Sequence, residues 1–194
     1  MNPYQLSMLI IVSAFYLTYI IKQILLKRKG IETARLAKGN KPERTCRTER
    51  LLLVSAHAMA AVQYANILLD QKAALLIRTQ TVRTAGIGIA LLGLCFFISA
   101  VVVMKDNWRA GVEEDQKTRI VTGGVYRISR NPAFVGFDLL YLGTALSFSN
   151  IVCMIGAAVA ILLLHLQILE EEKLLPQIFG PEYLEYKKKT RRYL

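Results

Sequence analysis

The sequence has few of the residues that build metal, disulfide or nucleophilic sites. It contains two histidines and three cysteines among 194 residues. Cys46, Cys95 and Cys153 lie far apart, so their spacing fits neither a disulfide framework nor a zinc site. We therefore interpret them as packing residues and expect no metal. No nucleophile beside a general base is visible, which argues against covalent catalysis.

Acidic residues are also scarce, with 14 against 25 lysines and arginines, and the net charge is +11. A nucleic-acid partner would suit this charge, but the basic residues stand at the ends of apolar segments. Lipid headgroups and membrane topology account for that placement. We therefore expect a bilayer, and no nucleic acid, as the partner.

Hydrophobic residues make up 54% of the chain and are concentrated in long runs. A helix needs about 20 apolar residues to cross a bilayer. The sequence therefore predicts an all-α polytopic membrane protein with about five membrane helices, at residues 4–26, 51–69, 82–104, 133–148 and 151–169. Only Ser149 and Asn150 separate the last two, which predicts a helical hairpin. Its depth in the bilayer stays open because its first helix is short.

Basic residues cluster in segments 27–50, 105–132 and 170–194. The positive-inside rule places all three in the cytosol. The polar loop before the hairpin and the tail after it then share one side. We expect a cytosolic C-terminus and an integral location in a bacterial or archaeal cytoplasmic membrane or an endoplasmic-reticulum-type membrane.

Three clusters of chemically useful residues follow the third apolar segment. The first, residues 107–111, contains the single tryptophan, Trp108, for which an interfacial anchor is the alternative role. The second, residues 123–134, has two glycines and then Pro132, which suits a first helical turn whose free N–H groups can bind a carboxylate. The third, residues 170–194, begins with three consecutive glutamates. They cannot all face one way on a helix, so at least one should face inward.

Taken together, the clusters resemble the isoprenylcysteine carboxyl methyltransferase-like membrane methyltransferases, a superfamily that includes bacterial phospholipid methyltransferases. The matching residues are Gly124-Val125-Tyr126, Arg130-Asn131-Pro132-Ala133-Phe134, Asn150, Glu171-Glu172-Lys173-Leu174-Leu175, Phe179-Gly180-Pro181-Glu182-Tyr183-Leu184-Glu185-Tyr186 and Arg192. The resemblance covers residues 105–194, and residues 1–104 match only as generic membrane helices. Asn131 stands where the family has histidine, and Phe134 where it has tyrosine. These departures favour a divergent methyltransferase over a prenylcysteine enzyme.

The resemblance implies an S-adenosylmethionine-dependent methyltransferase. Residues 1–104 would form three membrane helices with the basic loop 27–50. Residues 105–194 would form the cofactor region, made of loop 105–132, hairpin 133–169 and tail 170–194. The implied cofactor-binding residues are Gly124, Val125, Tyr126, Arg130, Asn131, Pro132, Phe134, Glu172 and Tyr183.

Glu171 and Arg192 are the candidate catalytic residues, which would hold or orient the acceptor. Arg192 would pair with a carboxylate, whereas Glu171 would take a proton from an amine or hydroxyl. The acceptor should be amphiphilic or lipid-like, with its reactive group at the cytosolic interface. Asp138 is costly in lipid and so should face the site or a partner. The candidate substrate-binding residues are Trp108, Asp138 and His165.

Further polar residues within the apolar segments could line an acceptor path, with interhelical hydrogen bonds as the alternative role. These residues are His57, Gln63, Asn66 and, again, His165. Two other functions stay open: an NADPH-dependent membrane reductase of related fold, and a non-catalytic membrane protein. The identity of the acceptor and the oligomeric state do not follow from the sequence.

Overall fold

The computed structural model describes residues 1–39, 41–69, 76–77, 79–111 and 118–194. Residues 112–117 of the predicted loop 105–132 lie outside the described residues. Within the described ranges the chain is helical, with two isolated β-bridges and no strand. The prediction of an all-α protein is confirmed.

The described residues contain five α-helices in chain order. They are α1 (Pro3–Arg28), α2 (Glu43–Leu69), α3 (Gln80–Met104), α4 (Pro132–Ser147) and α5 (Ile151–Lys189). Short 3-10 turns occupy Lys105–Asn107 and Gly124–Arg127. All but α4 are long and apolar enough to cross a membrane, and α4 forms the predicted hairpin with α5. The chain is a polytopic membrane protein.

Two helices extend beyond the predicted apolar segments. Helix α2 begins at Glu43 rather than at residue 51, and α5 continues past residue 169 to Lys189. Residues 170–189 of the predicted tail therefore continue the second helix of the hairpin. Gly180 interrupts α5 with a φ of 55°, a conformation that favours glycine, and Pro181 then restarts the helix. This kink redirects the end of α5, which carries Tyr183 and Tyr186.

Glycines bring α3 and α4 into direct backbone contact. A Cβ atom on Gly143 would lie 2.5 Å from the Gly86 oxygen, and one on Gly93 would lie 2.7 Å from the Gly136 oxygen. No side chain fits at such distances, so the two helices pack as closely as their backbones allow. The start of α4, where the candidate site lies, is thereby fixed against α3.

We predict that Gly143→Ala destabilises the protein because the added methyl group overlaps α3. Overpacking of this kind typically costs about 1–3 kcal/mol, which lowers Tm by about 2–4 °C per kcal/mol in a chain of this size. Gly88→Ala is the matched control, because a Cβ atom on Gly88 meets nothing within 4 Å. Thermal unfolding in detergent measures both, and equal Tm values for the two variants would contradict this packing.

Candidate active site

A buried carboxylate joins the loop before α4 to the C-terminal tail. Glu172 on α5 accepts hydrogen bonds from Arg130 Nη2 at 2.7 Å and from Arg192 Nη2 at 2.9 Å. The Glu172 and Arg130 side chains are 6% and 9% exposed. Two cations around one carboxylate offset its desolvation. The hydrogen bond to Glu172 also raises the pKa of the Arg192 guanidinium.

Backbone contacts extend the connection between loop and tail. The Arg130 N–H donates to the Arg191 oxygen at 2.9 Å, and the Arg130 guanidinium donates to the Thr190 oxygen at 2.7 Å. The Tyr186 hydroxyl donates to the Tyr126 oxygen at 2.6 Å. Loop and tail, which the sequence expected on one side of the membrane, thus form a single unit.

Asn131 is the N-cap residue of α4, but its side chain does not cap the helix. Its Nδ2 instead donates to the Arg192 oxygen at 3.1 Å. Pro132 follows as the first helical residue and has no N–H. The first-turn N–H groups of Ala133 and Phe134 have no partner within the helix, as at any helix start. The asparagine that replaces the family histidine therefore fastens the tail and leaves a helix N-terminus uncapped.

An elongated cavity of about 560 Å³ lies beneath this unit and continues between the membrane helices. At one end it borders Arg130 and Tyr183, and at the other it reaches Tyr16 and Tyr64 on α1 and α2. Eight predicted site residues line it: Trp108, Tyr126, Arg130, Asn131, Pro132, Phe134, Glu171 and Tyr183. Burial raises the pKa of Tyr126, so its hydroxyl stays protonated.

The other predicted cofactor-binding residues lie behind the cavity wall. Gly124 has a φ of 57°, and a Cβ atom there would lie 2.8 Å from Val103 of α3. Val125 packs against the cluster formed by Tyr126, Tyr183 and Tyr186. Glu172 bonds to arginines rather than lining the cavity. These residues shape the wall that presents Tyr126 and Arg130.

Three residues predicted to contact the acceptor also lie outside the cavity lining. Arg192 is held by Glu172. His165 Nδ1 is hydrogen-bonded to the Tyr193 hydroxyl at 2.5 Å, and their rings stack. Asp138 is largely buried, with one carboxylate oxygen lacking a partner among the described residues. The structure therefore groups His165 with the tail, and Asp138 does not line the cavity.

Trp108 and the polar residues predicted to line an acceptor path, namely His57, Gln63 and Asn66, do not all border the cavity. Trp108 is buried, makes an edge-to-face contact with Phe97 and lines the cavity. His57 lines the cavity too. Gln63 and Asn66 instead make interhelical hydrogen bonds, to Thr144 and Asn150 respectively.

Two buried polar atoms of residues that line the cavity have no hydrogen-bond partner in the part of the chain that the structure describes. They are Trp108 Nε1 and Gln167 Oε1. Tyr141 and Tyr183 are paired within the protein, with Tyr16 and Arg130 respectively. Buried polar groups in proteins are nearly always paired, so the two exceptions indicate that the cavity holds a ligand with polar groups.

Gln167 and Tyr141 were missed from the sequence, although helical spacing could have indicated both. Gln167 precedes Glu171 by one turn, and Tyr141 follows Phe134 by two turns, so each shares a face with a predicted residue. Gln167 Nε2 donates to Glu171 Oε1 at 3.0 Å and to Glu49 Oε1 at 3.2 Å. Glu49 in turn pairs with Lys41 at 2.8 Å, and both side chains are buried. Residues of α2 thus support the cavity wall.

Comparison with known proteins agrees with this architecture. The model of the phospholipid methyltransferase family matches residues 81–182, from α3 to the kinked end of α5. The chain belongs to the phospholipid methyltransferase family. This confirms the membership that the sequence motifs indicated.

Several curated relatives of this family member are protein-S-isoprenylcysteine O-methyltransferases. The human protein is 31% identical over 108 residues, which are 54% of this chain and 38% of the human one. Protein-S-isoprenylcysteine O-methyltransferase A of Arabidopsis thaliana is 41% identical over 68 residues, which are 34% of this chain and 34% of that one. The chain therefore matches well under half the length of either relative.

A solved structure shares the fold. It is described as the eukaryotic intramembrane Ras methyltransferase, isoprenylcysteine carboxyl methyltransferase, without a monobody. The TM-score is 0.52 at 19% sequence identity, over 79% of this chain and 52% of that one.

We predict that Glu172→Gln loosens the tail because it leaves two guanidinium groups without their counter-charge. Breaking a buried ion pair costs about 3–5 kcal/mol, so deuterium uptake by backbone amides in residues 186–194 should rise. Glu185→Gln is the control on the same helix, since its pair with Lys188 is exposed and such pairs contribute about 0–1 kcal/mol. Equal uptake in both variants would show that Glu172 does not hold the tail.

Proposed function

We propose that this protein is a membrane methyltransferase that uses S-adenosylmethionine to methylate an amphiphilic or lipid-like acceptor at the cytosolic interface. The observation that carries the proposal is the cavity itself, which runs from the loop–tail unit, where Arg130 and the uncapped start of α4 border it, into the helix bundle. Such a shape accommodates a polar cofactor at one end and an apolar tail at the other. The O-methyltransferase relatives support the same reaction class.

The loop–tail end of the cavity suits the charges of S-adenosylmethionine. Arg130 lines this end and contributes positive charge, and the uncapped start of α4 offers N–H groups, so both favour a carboxylate. The rings of Tyr126, Phe134 and Tyr183 line the same end, and aromatic faces attract cations. We assign these residues to cofactor binding. The cofactor would supply a methyl group activated by a positively charged sulfur.

Glu171 is the candidate for proton transfer in this reaction. It lines the cavity, and Gln167 fixes one of its carboxylate oxygens. A carboxylate in this position can accept the proton of an amine or hydroxyl acceptor as its methyl bond forms. The buried walls exclude water, and alignment of the reactants can contribute about 7–11 kcal/mol.

For Arg192 we propose an indirect role. Its guanidinium donates twice to Glu172, at 2.9 and 3.1 Å, and its backbone oxygen accepts from Asn131. The residue therefore closes the cavity by fastening the tail, rather than pairing with the carboxylate of an acceptor.

Cofactor binding gives a direct test in purified, detergent-solubilised protein. We expect S-adenosylhomocysteine to raise Tm, because a ligand at 100 times its Kd stabilises the native state by about 2.7 kcal/mol. NADPH at the same concentration should leave Tm unchanged. A shift with NADPH alone would support the reductase, and no shift with either would support a non-catalytic protein.

We expect Glu171→Gln to lower methyl transfer to lipid acceptors by about 10²–10⁴, the usual contribution of a positioned acid or base. Membranes containing the variant would be incubated with methyl-labelled S-adenosylmethionine, and lipid-extracted label would be counted. Glu170→Gln is the matched control, because Glu170 bonds to Lys173 and Thr45 and does not line the cavity. Equal label in both variants would exclude Glu171 from the chemistry.

A further inference from the structure

Glu171 is held by one of its two carboxylate oxygens. Its Oε1 accepts a hydrogen bond from Gln167 Nε2 at 3.0 Å, and Gln167 is the one side chain of the described residues that bonds to Glu171. The Glu171 side chain is partly accessible and borders the cavity. The second oxygen, Oε2, is therefore the one available to a ligand. Its position depends on how firmly Gln167 is held.

The side-chain amide of Gln167 has a single orientation. Gln167 is fully buried, and its Nε2 donates both to Glu171 Oε1 and to Glu49 Oε1, the latter at 3.2 Å. An amide nitrogen carries two N–H donors, so each carboxylate receives one. A flipped amide would turn its oxygen towards both carboxylates and lose both hydrogen bonds. Glu49 thus determines the direction in which Gln167 faces Glu171.

Glu49 is itself fixed by a buried lysine. Lys41 Nζ lies 2.8 Å from Glu49 Oε1 and 3.0 Å from Oε2, and the two side chains are 4% and 1% exposed. The backbone N–H of Ala37 donates to Glu49 Oε2 at 2.6 Å. A continuous set of hydrogen bonds therefore runs from the segment between α1 and α2, through Glu49 and Gln167, to the cavity.

Stability alone does not explain this buried ion pair. Replacing such a pair by apolar residues is often neutral or stabilising. The pair also acts on the charge of Glu171, which lies beyond the apolar segment 151–169. Burial raises the pKa of Glu171 to about 7, Gln167 and Lys41 act in the opposite direction, and Glu49 adds to the rise. Tyr126, in the loop before α4, is a further titratable group coupled to Glu171.

We propose that Lys41 and Glu49 are positioning residues for methyl transfer, and that they act on Glu171 through Gln167. They fix the direction of its carboxylate and set the pH at which it can accept a proton. The acceptor's nitrogen or oxygen bonds to the methyl carbon as the methyl–sulfur bond breaks with its electron pair on sulfur, and Glu171 Oε2 takes the proton that the acceptor loses. This inference rests on the proposed function, because it concerns the base of that same site.

Infrared titration of the purified protein in nanodiscs measures the ionisation of Glu171 without turnover. The carboxyl band that Glu171→Gln removes belongs to Glu171, and its midpoint is the pH of half-ionisation. We expect Gln167→Met to raise the midpoint by about one pH unit, as the loss of one charge-assisted hydrogen bond predicts. Lys41→Met should raise it and Glu49→Gln should lower it, because they remove charges of opposite sign.

Lys173→Met is the matched control for Lys41→Met. It removes a lysine two residues from Glu171, but this lysine is exposed and pairs with Glu170. Solvent screens such a charge, so the midpoint should not move. Tm of each variant checks the fold. Gln167→Met leaves the Lys41–Glu49 pair intact, so it still tests the proposal if a single change at that pair unfolds the protein.

The pH dependence of methyl transfer to membrane lipids then distinguishes positioning from a merely structural role. Below the wild-type midpoint, Gln167→Met should transfer about tenfold less label than the wild type, and the difference should close at high pH because Glu171 is then ionised in both. A merely structural role would lower the label by the same factor at every pH.

Unchanged infrared midpoints in Gln167→Met, Lys41→Met and Glu49→Gln would overturn the proposal. So would midpoints that move while methyl transfer keeps the pH dependence of the wild type. The proposed function fails separately: if the midpoints move as expected but the wild type transfers no label, the coupling to Glu171 stands, whereas the methyltransferase assignment is wrong and the positioning role is wrong with it.

Discussion

The site depends on the bonds from one carboxylate, Glu172, to Arg130 and Arg192. These bonds hold the end of the C-terminal tail, where the chain leaves α5, against the loop before α4. Removing Arg130 and Glu172 from water is unfavourable unless they pair with each other, and the partly exposed Arg192 adds a second cation to the same carboxylate. Once they do, the loop backbone pairs with the tail, and Asn131 is drawn to the tail instead of capping α4. The loop and tail that cover the cavity, and the uncapped start of α4, are both positioned by that arrangement.

The close packing of α3 against α4 determines the shape of the cavity. Glycines let α3 and α4 touch along their length, so the space between helices lies on the other side of α4, towards α1, α2 and α5. The buried pair Lys41–Glu49 reaches that space through Gln167 and fixes Glu171 in its wall. The N-terminal half of the chain, which carries no family motif, thus contributes to the orientation of a residue that does.

Much of the architecture was predictable from the sequence because bilayer thickness constrains helix length directly. Apolar runs located all five helices, and the motif series identified loop and tail as partners. The extension of α5 was missed because charged residues such as Glu170 and Lys173 end an apolar run without ending a helix. The kink at Gly180 falls at a glycine followed by proline, a pair that rarely continues a regular helix.

The roles of individual residues were harder to predict, because a motif gives the neighbours of a residue in sequence but not the direction of its side chain. Glu171 and Glu172 are adjacent, yet one lines the cavity and the other bonds to arginines behind it. The sequence left Arg192 and His165 as candidates to contact the acceptor. In the structure they bond to Glu172 and Tyr193, which are distant in sequence and so could not be foreseen from the motif.

The central claim is that the cavity beneath the loop–tail unit holds the methyl donor. A crystal structure grown in a lipid phase with S-adenosylhomocysteine tests it most directly. The account predicts ligand density between Arg130, Tyr183 and the first turn of α4, with the tail still bonded to Glu172. Density at another surface, or an unchanged cavity at saturating ligand, would contradict it.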